Sequence, residues 1–129
     1  MWDVQIFFDK LLENTGVQVR LPTQVEFVHA CAKVDDRDIA LPGWVRPESG
    51  GKLHRAATSE PNENGIYDAV GNVAEWAQPD GPLKTGYVYS IVLGTHYNSR
   101  HWENACSTMM ERYSFNRTPI IGFRLVLDD

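Results

Sequence analysis

The sixteen residues from Pro61 to Trp76, PNENGIYDAVGNVAEW, constrain the fold more than any other part of the chain. They begin with Asn64-Gly65, a pair that favours a tight turn because both residues tolerate a positive φ. A short apolar element and a second turn follow. The pattern then becomes strand-like over residues 72–77 and carries one carboxylate, Glu75. Two turns in so short a stretch indicate short strands joined by irregular connections.

Two helices are predicted before this block. Apolar residues at spacings of three and four predict the first helix from Asp3 to Asn14. Asp3 is expected to act as its N-cap, and Gly16 to end it in the left-handed conformation. The second helix is expected to begin at Thr23, because Thr23 and Glu26 form a capping box. Its apolar positions are Val25, Phe27, Val28, Cys31 and Ala32.

The rest of the chain favours an α+β domain spanning residues 1–129. Helical and strand periodicity disappears from Asp35 to Glu60, where Trp44 is expected to pin a long connection to the core. Strands are predicted at 72–77, 86–93 and 120–127. The stretch from Thr95 to Pro119 shows no clean period and is interpreted as a long loop.

Composition excludes several classes of function. The net charge of −5 argues against nucleic-acid binding, which favours a basic surface. No apolar run approaches the ~20 residues that span a membrane, so membrane insertion is not expected. The start of the chain lacks the features of a signal peptide, which predicts synthesis in the cytoplasm. Cys31 and Cys106 are expected to be free, buried thiols in a reducing compartment.

Four ordered blocks resemble the formylglycine-generating-enzyme-like, or sulfatase-modifying factor, family. The blocks are residues 20–27 (RLPTQVEF), the 61–76 segment, residues 92–95 (VLGT) and residues 122–126 (GFRLV). The resemblance implies a C-type-lectin-like fold, with two helices packed on short, mostly antiparallel strands and long irregular loops. Four aromatic residues match or neighbour core positions of that fold and are expected to be structural: Trp44, Tyr67, Trp76 and Phe123. Family domains have further N-terminal strands, so the chain resembles the later part of the domain. Either it is a trimmed unit, or a partner chain supplies the remainder.

The resemblance does not extend to the family's catalytic residues. Its copper-dependent cysteine pair would fall shortly after Gly94, where this chain has Asn98 and Ser99, and Cys106 is the one cysteine in that stretch. Its iron-dependent branch needs a histidine ligand motif, and the four histidines lack that spacing. The chain is therefore predicted not to be an enzyme. The alternative is a cysteine-oxidising or iron-dependent enzyme of the same fold, completed by another chain.

Calcium is the cofactor that the resemblance leaves open. Asp68, Asn72 and Glu75 match polar positions of a block around which family members often bind calcium, and calcium prefers oxygen ligands. The alternative is that Asn72 makes a turn hydrogen bond and Glu75 a buried salt bridge with Arg124. No other cofactor is expected.

Between the Gly94 and Gly122 blocks, the chain is rich in residue types common at binding surfaces. The predicted surface comprises Tyr97, Asn98, Arg100, His101, Trp102, Asn104 and Arg112. The expected partner is a protein or carbohydrate receptor, or neighbouring chains of an oligomer or larger complex. We therefore predict a non-catalytic ligand- or receptor-binding domain, such as a phage virion or host-recognition protein. An ordinary long loop in a structural virion or scaffold subunit is the remaining alternative.

Overall fold

The computed structural model describes residues 1–31, 42–79, 89–100 and 105–128. In chain order, the elements are α1 (Trp2–Thr15), β1 (Val19–Arg20), α2 (Gln24–Cys31), β2 (Gly43–Trp44), β3 (Val70–Gly71), β4 (Ala74–Ala77), β5 (Tyr89–Leu93), β6 (Met109–Tyr113), β7 (Ile121–Phe123) and β8 (Val126–Leu127). Two helices and several short strands make an α+β fold, which confirms the predicted class.

The helices follow the predicted local rules with one exception. The α1 helix starts one residue earlier than expected, after Met1, so Asp3 lies in its first turn and is not the N-cap. The Asp3 carboxylate instead accepts hydrogen bonds from Arg117, at 2.8 and 2.9 Å. Gly16 ends α1 with φ of 72°, as predicted. Among the described residues, neither helix is long and apolar enough to cross a membrane.

The capping box of α2 forms as the sequence predicts. The amide of Glu26 donates to the Thr23 hydroxyl at 3.2 Å, and the amide of Thr23 donates to the Glu26 carboxylate at 2.8 Å. Arg20 adds a bidentate pair with the same carboxylate, at 2.7 and 2.8 Å. The start of α2 is therefore fixed by contacts within a few residues of each other in sequence.

A four-stranded sheet with the order β6-β5-β4-β7 forms the centre of the fold. The β4–β5 and β5–β6 pairs are antiparallel, whereas β4 and β7 are parallel. Two smaller pairs, antiparallel β1–β8 and parallel β2–β3, flank it. The predicted strands at 72–77, 86–93 and 120–127 correspond to β4, β5 and β7–β8, although residues 86–88 lie outside the described residues. The expectation of one loop from 95 to 119 is wrong, because β6 pairs with the whole of β5.

Each face of this sheet contacts a different hydrophobic cluster, because successive strand residues point to opposite sides. Trp76 and Val92 pack on the α1 side, with Val4, Phe8, Leu21 and Ala74. Ala77, Ile91 and Leu93 pack on the α2 side, with Phe27, Cys31, Val45, Ala69, Val70 and Ala105. The sheet is therefore covered on both faces, by α1 on one and by α2 on the other.

The two cysteines are joined in a disulfide, so the prediction of two free thiols is wrong. The bond connects the end of α2 to the turn that precedes β6, with the two Cα atoms 5.5 Å apart. Cys31 is buried in the α2-side cluster, and Cys106 packs against that cluster. Composition could not predict the pairing, since the residues are separated by 75 positions and meet only when the sheet forms.

The four aromatic residues predicted to be structural differ in how deeply they are buried. Trp76 is buried between α1 and the sheet, as predicted. Trp44 is half-buried and stacks on His54, with ring centroids 3.8 Å apart. Tyr67 and Phe123 are substantially exposed, so their assignment to the core is wrong.

Candidate recognition site

Residues 95–100 form a loop at the end of β5, which we call the recognition loop. Its base is closed by a hydrogen bond from the amide of Gly94 to the carbonyl of Thr108, at 3.0 Å. The buried hydroxyl of Thr95 accepts the amide of Gly71 at 3.0 Å. Gly94 has φ of 82°, a conformation that side chains other than glycine rarely adopt. The chain therefore leaves the sheet at a fixed angle.

Asn72 connects the recognition loop to the preceding segment through all four of its polar groups. Its side chain accepts the amide of His54 at 2.9 Å and donates to the carbonyl of His54 at 3.1 Å. Its own amide donates to Trp44, and its carbonyl accepts the amide of Tyr97, both at 2.9 Å. Asn72 is 5% exposed and has a left-handed backbone with φ of 57°. Through these hydrogen bonds, Asn72 connects β2, the main chain of His54 and the recognition loop.

The segment after β2 adds two further contacts to the loop. The amide of Arg46 donates to the carbonyl of Ser99 at 2.9 Å. The hydroxyl of Ser49, which is buried, donates to the carbonyl of Tyr97. Main-chain groups of Tyr97 and Ser99 are thus bonded to a neighbouring segment, while the side chains of Asn98 and Arg100 are exposed.

The loop itself is a tight turn from His96 to Ser99. The Ser99 amide donates to the His96 carbonyl at 2.9 Å, and the His96 amide donates to the Ser99 hydroxyl at 3.1 Å. The Asn98 amide donates to Nδ1 of His96 at 3.2 Å, which requires that nitrogen to be unprotonated. Partial burial lowers the pKa of His96 and so favours this neutral ring.

The structure brings together part of the predicted binding surface. Asn98 and Arg100 are exposed on the recognition loop, and Tyr97 is half-buried at its base. Arg112 lies on β6 and is paired with Ser90 of β5. The end of β6 next to the recognition loop is Met109, which is paired with Leu93. Arg112 is three residues further along the strand, and the rise of a strand places it about 10 Å from that end. Its guanidinium donates to the carbonyl of Glu111 at 2.9 Å. His101, Trp102 and Asn104 lie outside the described residues. Arg112 therefore belongs to a different part of the surface.

The residues of the predicted calcium site make protein contacts of their own. Both oxygens of Glu75 accept hydrogen bonds from Arg124, one of them at 2.7 Å from Nη2. The same nitrogen donates to the carbonyls of Tyr67 and Asp68, at 3.2 and 3.3 Å. The Asp68 carboxylate accepts the amide of Ala57 at 2.7 Å. Glu75 thus forms the buried ion pair with Arg124 that was the alternative to metal binding.

This arrangement does not fit a calcium shell. A cation beside Glu75 would face the guanidinium of Arg124, and the side-chain oxygen of Asn72 already accepts the His54 amide. Burial raises the pKa of Glu75, and the hydrogen bonds and charge of Arg124 oppose that rise. Within the described ranges, no group of three histidine, cysteine or acidic residues is placed to hold a metal. Calcium binding stays a prediction, which a calcium titration followed by thermal melting would check.

Sequence reasoning missed the residues that position the loop. Ser49 and His54 lie in a segment without periodicity, and nothing in their spacing indicates the contact with residues 95–100. The one local signal was Asn72 itself, a residue type that tolerates left-handed backbone and follows a glycine in the 61–76 block. Its partners could be identified only from the folded structure.

Comparison with known proteins supports the family resemblance that the sequence motifs indicate. The profile of a family described as "Sulfatase-modifying factor enzyme 1-like domain" matches residues 1–129. No well-characterised protein sequence matches significantly. Among solved structures, the Treponema denticola variable protein 1 is 26% identical with a TM-score of 0.72, over 84% of this chain and 47% of that chain. CarF is also 26% identical, with a TM-score of 0.69, over 84% of this chain and 46% of its own.

A third similar structure, PvdO from Pseudomonas aeruginosa, has a TM-score of 0.75 and covers 95% of this chain and 57% of that chain. Its identity of 18% supports the similarity of fold alone. This chain therefore spans about half the length of the structures it matches.

Proposed function

This chain belongs to the sulfatase-modifying factor enzyme 1-like domain family, which has a C-type-lectin-like fold, and we propose that it is a non-catalytic binding domain. Its recognition surface is centred on Asn98 and Arg100 of the recognition loop. The ligand is a protein or carbohydrate receptor, as expected of a phage virion or host-recognition protein.

One observation carries this proposal: the loop has an anchored backbone and outward polar side chains. Asn72, Ser49 and Arg46 each hold its main chain through one hydrogen bond, while Asn98 and Arg100 stay exposed. A loop that is already ordered loses little conformational entropy when it binds, which favours affinity. An amide and a guanidinium supply directional donors for a polar ligand.

The similarity to a protein named variable protein 1 gives independent support. A fold whose backbone contacts hold the loop in place can carry different outward residues without losing its scaffold. The recognition loop has this property, because its anchoring bonds at Tyr97 and Ser99 use main-chain atoms. Those bonds do not depend on which side chains face outward.

Binding to a glycan array, followed by a displayed library of surface proteins, would test the proposal. We expect Arg100→Ala and Asn98→Ala to weaken binding about tenfold or more at a hot spot while leaving the melting temperature unchanged. Lys52→Ala, at an exposed position on the neighbouring segment, serves as the matched control. Equal binding by all three variants would contradict the assignment of the loop.

The enzyme alternative gains one observation, because the fold brings the chain's two cysteines together. Once reduced, they would form a thiol pair of the kind that holds Cu(I). Their position argues for a structural cross-link, since Cys31 is 1% exposed within the α2-side cluster. Copper analysis of the reduced protein separates the two functions. Near-stoichiometric, tight copper that is lost in Cys106→Ser would favour the enzyme.

A further inference from the structure

The arginines of the described ranges differ in whether a carboxylate of the chain neutralises them. Three form ion pairs with carboxylates: Arg20, Arg117 and Arg124. Arg46, Arg55 and Arg100 are exposed, and none of them forms an ion pair with a described residue. A guanidinium without an internal partner is available to an anion from outside the chain.

The fold brings two of the unpaired arginines together at the recognition loop. The amide of Arg46 donates to the carbonyl of Ser99 at 2.9 Å, and that carbonyl belongs to the peptide bond that leads into Arg100. Standard peptide dimensions then place the main-chain nitrogens of Arg46 and Arg100 within about 5 Å of each other. Two long side chains that start this close together can reach the same small anion.

The guanidinium of Arg46 lies on the turn that holds the loop. It rests against the main chain of Gly51, where an added β-carbon would be 3.0 Å from Nη2 of Arg46. The amide of Gly51 donates to the Ser49 hydroxyl at 3.0 Å, and that hydroxyl donates to the carbonyl of Tyr97. The charged end of Arg46 is therefore part of the same surface as the recognition loop.

The local charge has the opposite sign to that of the whole chain. Residues 46–55 and 95–100 carry four cationic side chains and one acidic side chain, Glu48, which gives a net charge of +3 in a chain of −5. A positive region of this kind attracts anions. The negative remainder of the chain repels a long polyanion, because repulsion acts within about 10 Å of the surface. A ligand with few negative charges is therefore favoured.

We propose that Arg46 and Arg100 bind one acidic group of a glycan, a carboxylate or a sulfate, while Asn98 bonds a neighbouring hydroxyl. This inference rests on the proposed function and names the ligand class of the recognition loop. Guanidinium groups bind such oxygens through paired N–H donors. The Asn98 amide both donates and accepts, as a sugar hydroxyl does. A protein partner would favour an apolar centre, which the exposed side chains of residues 95–100 do not supply.

An array that pairs each acidic glycan with its neutral counterpart tests this proposal. The probes are oligosaccharides that end in glucuronic acid or a sulfated galactose, beside those that end in glucose or galactose. We expect binding to the acidic members, with a preference that identifies carboxylate or sulfate, and weaker binding as salt rises. Arg46→Ala and Arg100→Ala should each weaken binding about tenfold or more.

Matched variants separate direct contact from general attraction and from loss of fold. Arg112→Ala removes the same charge from β6, away from the loop, and should bind as the parent does. Arg46→Lys keeps the charge without the paired N–H donors and should still weaken binding. Arg46→Ala retains the main-chain bond to Ser99, so its melting temperature should match that of the parent.

The outcomes distinguish this inference from the proposed function. Equal binding to acidic and neutral glycans, or unchanged binding by Arg46→Ala, would overturn the ligand assignment. A loss in Arg100→Ala would then still support recognition by the loop. Binding confined to acidic peptides would also contradict a glycan ligand. If neither glycans nor displayed proteins bind, the proposed function fails together with this inference.

Discussion

The two faces of the four-stranded sheet are held by different kinds of interaction. On the α1 side, Trp76, Val92 and Phe8 make a cluster of apolar contacts. On the α2 side, the apolar cluster is supplemented by the Cys31–Cys106 disulfide and the Glu75–Arg124 pair. Nearby, Asn72 adds the hydrogen bonds that position the recognition loop.

The apolar contacts of the α1 side mainly stabilise the fold, whereas the polar contacts of the α2 side also select one backbone conformation. Apolar burial is non-directional and tolerates many arrangements. Buried hydrogen bonds and ion pairs are costly unless every partner is in place, so they select one backbone geometry. The recognition loop lies beside the polar side, where its shape is fixed. Exposed aromatic residues such as Trp2 and Phe7 lie on the apolar side, on α1.

The largest expected effect is the loss of the central aromatic residue on the α1 side. Trp76→Ala should lower the free energy of unfolding by roughly 4 kcal/mol, because it leaves a cavity between α1 and the sheet. Urea denaturation measures the change. Val25→Ala, at an exposed position, is the control and should have little effect. Equal midpoints for the two variants would contradict the assignment of Trp76 to the core.

The second-largest loss of stability is expected on removing Arg124, the positively charged partner of Glu75. Arg124→Ala leaves the Glu75 carboxylate buried and unpaired, which should cost about 3 kcal/mol near neutral pH. Burial already raises the pKa of Glu75, and without Arg124 that rise should be larger. The protonated form then stabilises the folded state at low pH, and this contribution is lost as pH rises through the raised pKa.

Urea denaturation of Arg124→Ala across pH 4 to 8 (roughly the range over which a raised carboxyl pKa titrates) checks this. The destabilisation should shrink towards acidic pH. In Arg124→Ala combined with Glu75→Gln, the pH dependence should disappear. A loss that is the same at every pH would show that Glu75 is not the unpaired group.

Asn72 tests whether the polar contacts fix the recognition loop. Asn72→Gly keeps the left-handed backbone and removes the two side-chain bonds to His54, which should cost about 2 kcal/mol. Asn72→Ala should cost about 1 kcal/mol more, because alanine is disfavoured at a positive φ. Hydrogen exchange should accelerate at the His54 and Tyr97 amides and not in β4. Acceleration throughout the sheet would mean that Asn72 supports the whole fold.

A smaller effect is expected at the start of α2. Thr23→Ala removes the hydroxyl that accepts the Glu26 amide and should cost about 1 kcal/mol. Thr23→Ser retains the hydroxyl and is the matched control, which should remain close to the parent in thermal melting. A loss in the serine variant as large as in the alanine variant would assign the effect to the methyl group.

The smallest effect is a pH dependence from the same cap. Hydrogen bonds from Arg20, and then from the Thr23 amide, lower the pKa of Glu26 to about 2. A lowered folded-state pKa stabilises the fold above the ordinary pKa of the carboxyl group, and the contribution is lost as pH falls from there towards about 2. Comparing Glu26→Gln with the parent should show a difference in melting temperature at neutral pH that vanishes in acid. A difference independent of pH would rule out titration of Glu26.

Local features of the fold could be predicted from sequence because their partners are close along the chain. The Thr23–Glu26 capping box and the left-handed Gly16 form as expected, since each depends on residues within one helical turn. Strands β4, β5 and β7 were predicted within a few residues. The β6 strand was missed because its residues do not alternate cleanly between apolar and polar, and its pairing with β5 overrides that weak local pattern.

The candidate site was predicted only in part, for the same reason. Asn98 and Arg100 were identified by residue type, and their exposure is consistent with that choice. Arg112 was grouped with them because it is near in sequence, yet the β6 strand carries it away from the loop. The anchoring residues Ser49 and His54 were missed, since their contacts reach back from a segment without a pattern.

The sequence by itself determined the class of fold and the start of each helix to within one residue, and it identified two polar residues that are exposed, Asn98 and Arg100. Only the tertiary structure decided which distant groups meet. Cys31 bonds Cys106, Glu75 pairs with Arg124, and Asn72 binds His54 across gaps of 75, 49 and 18 positions. These pairings depend on how the strands are ordered in the sheet. Strand order is set by the combined packing of the whole chain, and no local pattern specifies it.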